Sequence, residues 1–150
     1  MSNTGLEAFD STLQKTHIWL DDIMREMGWA DEKQRAYLAL RSVLHALRDR
    51  LTVAEAVDLG AQLPMLVRGF YYEGWKPAST PRKEHHKEEF LAHVKHSFKS
   101  DDYMDAEQIV RAVFRVLARH VSEGEIKDVQ VTLPAELRAL WSPEDLKTWV

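Results

Sequence analysis

Apolar positions recur at helical spacing along most of this chain. Leu6, Phe9, Leu13, Leu20, Met24 and Met27 fall three, four and seven residues apart. That is one face of a helix, and it predicts an element from about residue 5 to Met27 with Gly28 as its stop. Asp31 is read as the cap of the next helix, where Tyr37, Leu40, Leu44, Leu47 and Leu51 form the apolar stripe. Thr52-Val53-Ala54-Glu55 has the form of a capping box, in which the Thr hydroxyl accepts from a free amide and the Glu reaches back to the cap. Leu63-Pro64 closes that short helix, because proline disfavours helical dihedrals in the residue before it and is tolerated in a first turn. A fourth short helix is expected near 64–72. Glu73 to about Glu84 contains Gly74, Pro77 and Pro81 and reads as an irregular linker. No stretch alternates long enough to support a strand.

The same order then returns. Residues 36–71 align without a gap on 106–141 at an offset of 134 − 64 = 70. Ala36, Arg41, Val43, Leu47, Glu55, Asp58, Leu63, Pro64 and Arg68 face identical residues: Ala106, Arg111, Val113, Leu117, Glu125, Asp128, Leu133, Pro134 and Arg138. Chance would give roughly two or three identities over such a window. Near-matches such as Leu44/Phe114, Leu51/Val121, Thr52/Ser122 and Tyr71/Trp141 keep the helix period and the cap positions. Ser122-Glu123-Gly124-Glu125 is thus a second capping box, and Leu133-Pro134 a second corner before a helix near 134–141. Trp19, Leu20, Ile23 and Met27 match Phe90, Leu91, Val94 and Phe98 if one residue is dropped before Ala106. Ser142-Pro143-Glu144-Asp145 predicts one last helical turn. A fixed internal period of this kind points to tandem duplication. The expected fold is an all-α helical bundle of two tandem, pseudo-twofold-related repeats of about four helices each. Unit 1 spans 1–72, the linker 73–84 and unit 2 85–150, the two units packing as one compact domain.

Composition narrows the chemistry more than it names it. At 150 residues, with 45% hydrophobic and 29% charged residues, the chain is of an ordinary soluble globular type. The net charge of −4 gathers no phosphates, so nucleic acid is not favoured as a partner. The absence of cysteine removes disulfides, thiolate nucleophiles and thiolate metal sites. The start lacks a basic stretch followed by an apolar run, and no apolar run approaches the ~20 residues of a membrane span. A reduced cytoplasm and no membrane association are the expectation.

Three segments offer candidate chemistry. His85, His86, His93 and His96 lie with Glu88 and Glu89 on one predicted helix. His86, Glu89 and His93 share a side of it and form the candidate metal ligands, through imidazole and carboxylate. The plainer reading is a solvated amphipathic helix, since no His-Glu-x-x-His signature is present. Arg111, Arg115 and Arg119 recur one turn apart and could meet phosphate, although Glu107 stands one turn before Arg111 to pair with it. Phe70-Tyr71-Tyr72-Glu73-Gly74-Trp75 is the densest aromatic run. Arg68, Tyr72 and Trp75 are the candidate partner surface, because Tyr and Trp favour such contacts. The plainer reading is that the run plugs the core. Catalysis finds no footing: neither Ser42 nor Ser122 sits in a Gly-x-Ser-x-Gly elbow, there is no glycine-rich phosphate loop, and the pairs Asp21-Asp22 and Asp101-Asp102 splay apart on a helix.

Ala39-Leu40-Arg41-Ser42-Val43-Leu44-His45-Ala46-Leu47-Arg48-Asp49-Arg50-Leu51, the Leu63-Pro64 to Trp75 segment, and the matching His120–Val129 and Leu133–Trp141 segments resemble a bacterial family known as domain of unknown function 2267. With His17-Ile18-Trp19-Leu20 the resemblance covers nearly the whole chain. It implies an all-helical, duplicated bacterial protein, with no reaction, cofactor or catalytic residue to carry over. The resulting expectation is a non-enzymatic protein-interaction or structural module, without cofactor and with a protein partner. The alternatives are a metal protein or enzyme built on the His/Glu cluster at 85–96, and nucleic-acid or phosphate binding through the arginine stripe.

Overall fold

A computed structural model of the chain describes residues 4–99, 101 and 103–142. Among these the chain is all-helical, with no strand. The order is α1 (Glu7–Met27), α2 (Lys33–Arg48), α3 (Val53–Ala61), α4 (Met65–Tyr72), a 3-10 turn (Pro77–Ser79), α5 (Lys87–His96), α6 (Ala106–His120), α7 (Glu123–Thr132) and α8 (Ala135–Arg138). The last turn read from Ser142 to Asp145 lies outside the described residues.

Local chemistry sets most of these boundaries. Gly28 ends α1 in the left-handed region (φ 71°), and the chain turns back so that the Trp29 amide donates to Met24 O at 2.9 Å. Thr52 Oγ1 accepts from the Glu55 amide at 3.2 Å, and Ser122 Oγ from the Glu125 amide at 3.3 Å, so α3 and α7 open on the same cap. Pro64 and Pro134 stand at the N-caps of α4 and α8. Proline has no side-chain acceptor for the free amides of α4, and Thr12 Oγ1 of α1 takes the Leu66 amide at 2.9 Å instead. Two sequence readings need correction. Asp31 does not cap α2: it holds a positive φ of 52°, and Glu32 occupies the N-cap without a side-chain bond. The second half of each capping box is also redirected. The Ser122 amide donates to Gln62 Oε1 at 3.3 Å, and the Glu55 and Glu125 side chains turn towards one another.

Helices α2 and α6 lie at the centre and pack on each other. Leu40, Leu44 and Leu47 from one, and Val110, Phe114 and Leu117 from the other, are fully buried. Around them α1 packs on α2, α4 and α6, while α5 packs on α6, α8 and α2; α3 meets α7. Burial recurs at the offset of 70. Val43/Val113, Leu51/Val121, Leu59/Val129, Leu63/Leu133, Val67/Leu137, Phe70/Leu140 and Tyr71/Trp141 are buried at both members. Trp141 stacks on Phe114 with ring centres 4.2 Å apart. Tyr71, at the equivalent place, donates its hydroxyl to Ala56 O at 2.7 Å.

Two arginines are nearly fully buried. Arg48 Nη1 donates to Tyr71 O (2.7 Å) and Glu73 O (3.0 Å), holding the end of α4 to α2. Arg50 donates to Ala46 O (3.0 Å) and pairs with Glu84 (2.8 Å), and its guanidinium lies 5.1 Å over the Phe90 ring. It joins the end of α2 to the linker and to α5.

Candidate functional site

Two features stand apart from this packing: an apolar groove on α1, α2 and α4, and a carboxylate pair between α3 and α7.

The groove exists because the apolar stripe of α1 is longer than the core it meets. Ile23 and Met24 are buried in the core that α1 shares with α2 and α6, but the first turns of α1 run on beyond them. There Leu6, Phe9 and Leu13 stay exposed, Phe9 at 49% and Leu13 at 38%. Met65 and Leu66 at the start of α4 are likewise 43% and 41% exposed and face the same hollow. Phe9 and Leu13 form one wall, Met65, Leu66 and Gly69 the other, and Leu20, Tyr37 and Phe70 line it deeper in. The cavity is about 820 Å³. Polar groups are confined to a few places, chiefly His17, Lys33, Gln34 and Glu73. Gly69 shapes one wall: a Cβ there would meet nothing within 4 Å, so the groove is open above it. The Thr12–Leu66 bond fixes the spacing of the two walls, and Thr16 donates to Thr12 O at 2.7 Å within α1. At the sequence offset of 70 the corresponding place is polar. There Glu136, which stands where unit 1 has Leu66, accepts from the Lys87 amide (3.0 Å) and pairs with His86 (3.0 Å).

The carboxylate pair comes from positions 70 residues apart in the sequence, one on α3 and one on α7. Glu55 and Glu125 sit in the first turns of α3 and α7, and where these helices meet, their side chains approach each other with Asp128 beside them. One carboxylate oxygen from each of the three lies within 4.8 Å of the others. Glu125 is only 9% exposed, and its Oε2, like Glu55 Oε1, is shielded from solvent without a hydrogen-bond donor. Burial, the facing Glu55 carboxyl, and the charges of Asp58 and Asp128 push the Glu125 carboxyl up to about 8. Tyr71, the neighbouring phenol, spends its proton on Ala56 O, and its own ionisation is pushed up by burial. The sequence carried the identities Glu55/Glu125 and Asp58/Asp128, but the cap pattern accounted for the glutamates and nothing in it placed α3 against α7.

The sequence-derived sites fall out as follows. His86, Glu89 and His93 do not converge. His86 Nδ1 bonds Glu136, Glu89 Oε1 accepts from the His86 amide at 3.3 Å, and His93 Nε2 faces Glu84 at 3.4 Å. Glu89 thereby forms part of a capping box with His86 at the start of α5. His86 is raised by the Glu136 carboxylate, whereas burial, with Arg50 and Arg82 nearby, lowers His93. The arginine stripe is engaged with acids throughout. Arg111 pairs with Glu107 (2.8 Å), Arg115 and Arg119 each with Glu26 of α1 (2.8 Å), and Arg119 also approaches Asp22 at 3.6 Å. Glu26 is held below the usual carboxylate range, chiefly by its bond to Arg119. These pairs, with His120 bonded to Asp22 (2.7 Å) and stacked on Trp19 (5.0 Å), fasten α1 to α6. Tyr72 and Trp75 are half-buried against the core and stack on each other at 5.4 Å, the Tyr72 hydroxyl closing over Gly60 of α3. Arg68 is half-buried and its side chain makes no ion pair or hydrogen bond among the described residues, whereas the Arg138 side chain donates to Gln130 O and Leu133 O at the end of α7.

The fold and its surfaces define an all-α bundle with an apolar concave face on α1, α2 and α4. The chain belongs to the family described as uncharacterized conserved protein, domain of unknown function 2267 (DUF2267), whose model matches residues 16–140. No curated protein matches it. No helix among the described residues is long and apolar enough to cross a membrane. The turns of α1 that carry Phe9, Thr12 and Leu13 precede the matched region, so the outer wall of the groove lies outside the part of the chain that the family match covers.

Proposed function

We propose that the protein is a non-enzymatic interaction module whose groove on α1, α2 and α4 receives an amphipathic helix of a protein partner. One observation carries this reading: Phe9, Leu13, Met65 and Leu66 surround one continuous hollow rather than lying scattered. A soluble domain rarely leaves a contiguous apolar patch uncovered without a use for it. A hollow with two helical walls and a sparse polar rim suits a helix presenting apolar anchors at i, i+3 or i+4, and i+7. The polar counterpart in unit 2, with Glu136 where unit 1 has Leu66, supports a groove added to the scaffold rather than required by it.

The test uses a library of helical peptides selected for binding to the whole chain. Gly69→Phe is the diagnostic variant, because the site is open and the new ring fills the hollow. Selected peptides should share the apolar spacing and bind Gly69→Phe at least tenfold more weakly. Peptides that bind both proteins equally would refute the groove. A chain that self-associates through Phe9 and Leu13, seen by sedimentation and lost in Phe9→Ser, would replace the foreign helix by a second copy.

We also infer that the units are related by a pseudo-twofold axis. The support is reciprocal: α1 packs on α6 as α5 packs on α2, and α2 meets α6 as α3 meets α7. Glu55 facing its counterpart Glu125 is what a position near such an axis requires. Superposing 36–71 on 106–141 in an experimental structure tests it, and failure of the helices to overlay would exclude it.

A further inference from the structure

We propose that Glu55, Glu125 and Asp128 form a binding site for a hard divalent cation of calcium size, clamping α3 to α7. This goes beyond the groove and does not depend on it.

The chemistry begins with the shortage of positive charge. No ion pair of Glu55, Glu125 or Asp128 exists among the described residues, and Asp58, whose charge acts on Glu125, is also acidic. Exposed acids tolerate such company, because water screens them. Glu125 does not have that recourse. It is nine-tenths buried, its Oε2 is shielded from solvent and meets no N–H group, and the group that faces its carboxyl is the carboxyl of Glu55. Glu55 Oε1 is in the same condition from the opposite helix. A buried carboxylate oxygen with no donor calls for a proton or a cation. The free amides at the starts of α3 and α7 help both anions, but Thr52 and Ser122 already occupy the Glu55 and Glu125 amides.

Geometry then favours a cation. Three oxygens lie within 4.8 Å of one another. Calcium binds oxygen at about 2.3–2.6 Å and accepts irregular, carboxylate-rich shells. Oxygens no more than 4.8 Å from one another can reach one such ion by side-chain rotation. Magnesium demands a near-ideal octahedron and dehydrates reluctantly, so three carboxylates from two helices suit calcium better. The donor set is all carboxylate, which selects hard cations over zinc or copper. Asp128 is exposed, which gives an entry path and room for water to complete the sphere. An ion there would join α3 to α7 at a contact where like charges otherwise oppose each other.

The experiment takes the full chain, strips it with a chelator, and titrates CaCl2 by calorimetry, with MgCl2 and MnCl2 in parallel. One calcium per chain is expected, with magnesium binding more weakly. At a hundredfold excess over Kd the melting temperature should rise by about 5–10 °C. Glu125→Gln and Asp128→Asn should each weaken calcium binding at least tenfold and abolish the rise. Glu136→Gln, which removes a carboxylate elsewhere, should leave both intact. Glu125→Gln removes a repulsion and is expected to fold, and Asp128→Asn provides a second, exposed change. No heat and no thermal shift with any of the three salts at millimolar concentration would overturn the site. So would an equal response in Glu125→Gln, or a titration in which a shared proton alone occupies the pair.

Discussion

Replacing glycine by alanine at two places in adjacent helices should have opposite signs, and the difference can be worked from the packing. Gly69 lies in mid-α4 and Gly60 in the last turn of α3. Alanine gains roughly 0.5–1 kcal/mol over glycine within a helix, through the smaller entropy of the unfolded chain. At Gly69 nothing opposes that gain, since the new methyl meets no atom within 4 Å. At Gly60 the methyl would collide with the Tyr72 hydroxyl, and would stand 2.8 Å from Tyr72 Cζ and 3.1 Å from Tyr71 Cε2. Tyr71 cannot yield: it is fully buried and bonded to Ala56 O. Tyr72 is pressed between Tyr71 (4.9 Å) and Trp75 (5.4 Å). Overpacking of this kind costs typically about 1–3 kcal/mol. Gly60→Ala should therefore lose about 0.5–2 kcal/mol net, while Gly69→Ala gains up to about 1 kcal/mol. Urea midpoints at unchanged slope measure both. On a Tyr72→Ala background most of the Gly60→Ala loss should disappear, which assigns that part to the Tyr72 ring, the remainder being the 3.1 Å approach to Tyr71. If Gly60→Ala matches Gly69→Ala in the native background, Tyr72 is not held against α3, and its side chain is available as a recognition surface after all.

Other expectations follow from burial and charge. Leu133→Ala and Leu63→Ala, at the two Leu-Pro corners, each remove a side chain that is at most 3% exposed and should cost about 2–5 kcal/mol by denaturant titration. Glu125 ionises near 8 in the fold against 4.5 for the free group, so between these values the unfolded chain releases a proton that the folded chain keeps. Stability of the cation-free protein should then fall as pH rises through that window, by on the order of 2–4 kcal/mol, and Glu125→Gln should flatten the curve. A wild-type stability that instead rises from pH 5 to pH 8 would show that the two carboxyls do not share this environment. Arg119→Ala leaves Glu26 and Asp22 with one cation fewer and should cost about 1 kcal/mol, an effect weakened by salt, since the pair is half-exposed. No measurable loss would mean that α1 is held by packing alone.

The helices themselves were legible because their limits are written in local chemistry. Gly28, Thr52, Ser122 and the two Leu-Pro pairs act within a few residues of where they stand, and each does what its neighbours require. Asp31 misled, because a capping residue needs extended dihedrals and this one lies at positive φ. The groove was hidden in plain view. Leu6, Phe9 and Leu13 continue the stripe of Leu20 and Met24, and periodicity reports which face of a helix is apolar, not how far a neighbour extends to cover it. The carboxylate pair was out of reach for a different reason. Glu55 and Glu125 each satisfy a local cap pattern, and only the meeting of α3 with α7 gives them a second partner. The histidines and arginines show the limit of spacing taken alone. Spacing on one helix put His86, Glu89 and His93 together, but Glu84, Glu136 and the α5 cap draw them apart, and Glu26 on α1 claims Arg115 and Arg119.

The groove is the central claim, and amide hydrogen exchange of the whole chain with and without a selected helical peptide tests it most directly. Binding there should slow exchange along the exposed turns of α1 from Phe9 to Leu20 and along α4 from Met65 to Tyr72, and leave α7 unchanged. Protection confined to α7 or to the arginine face of α6, with α1 and α4 unaffected, would contradict it.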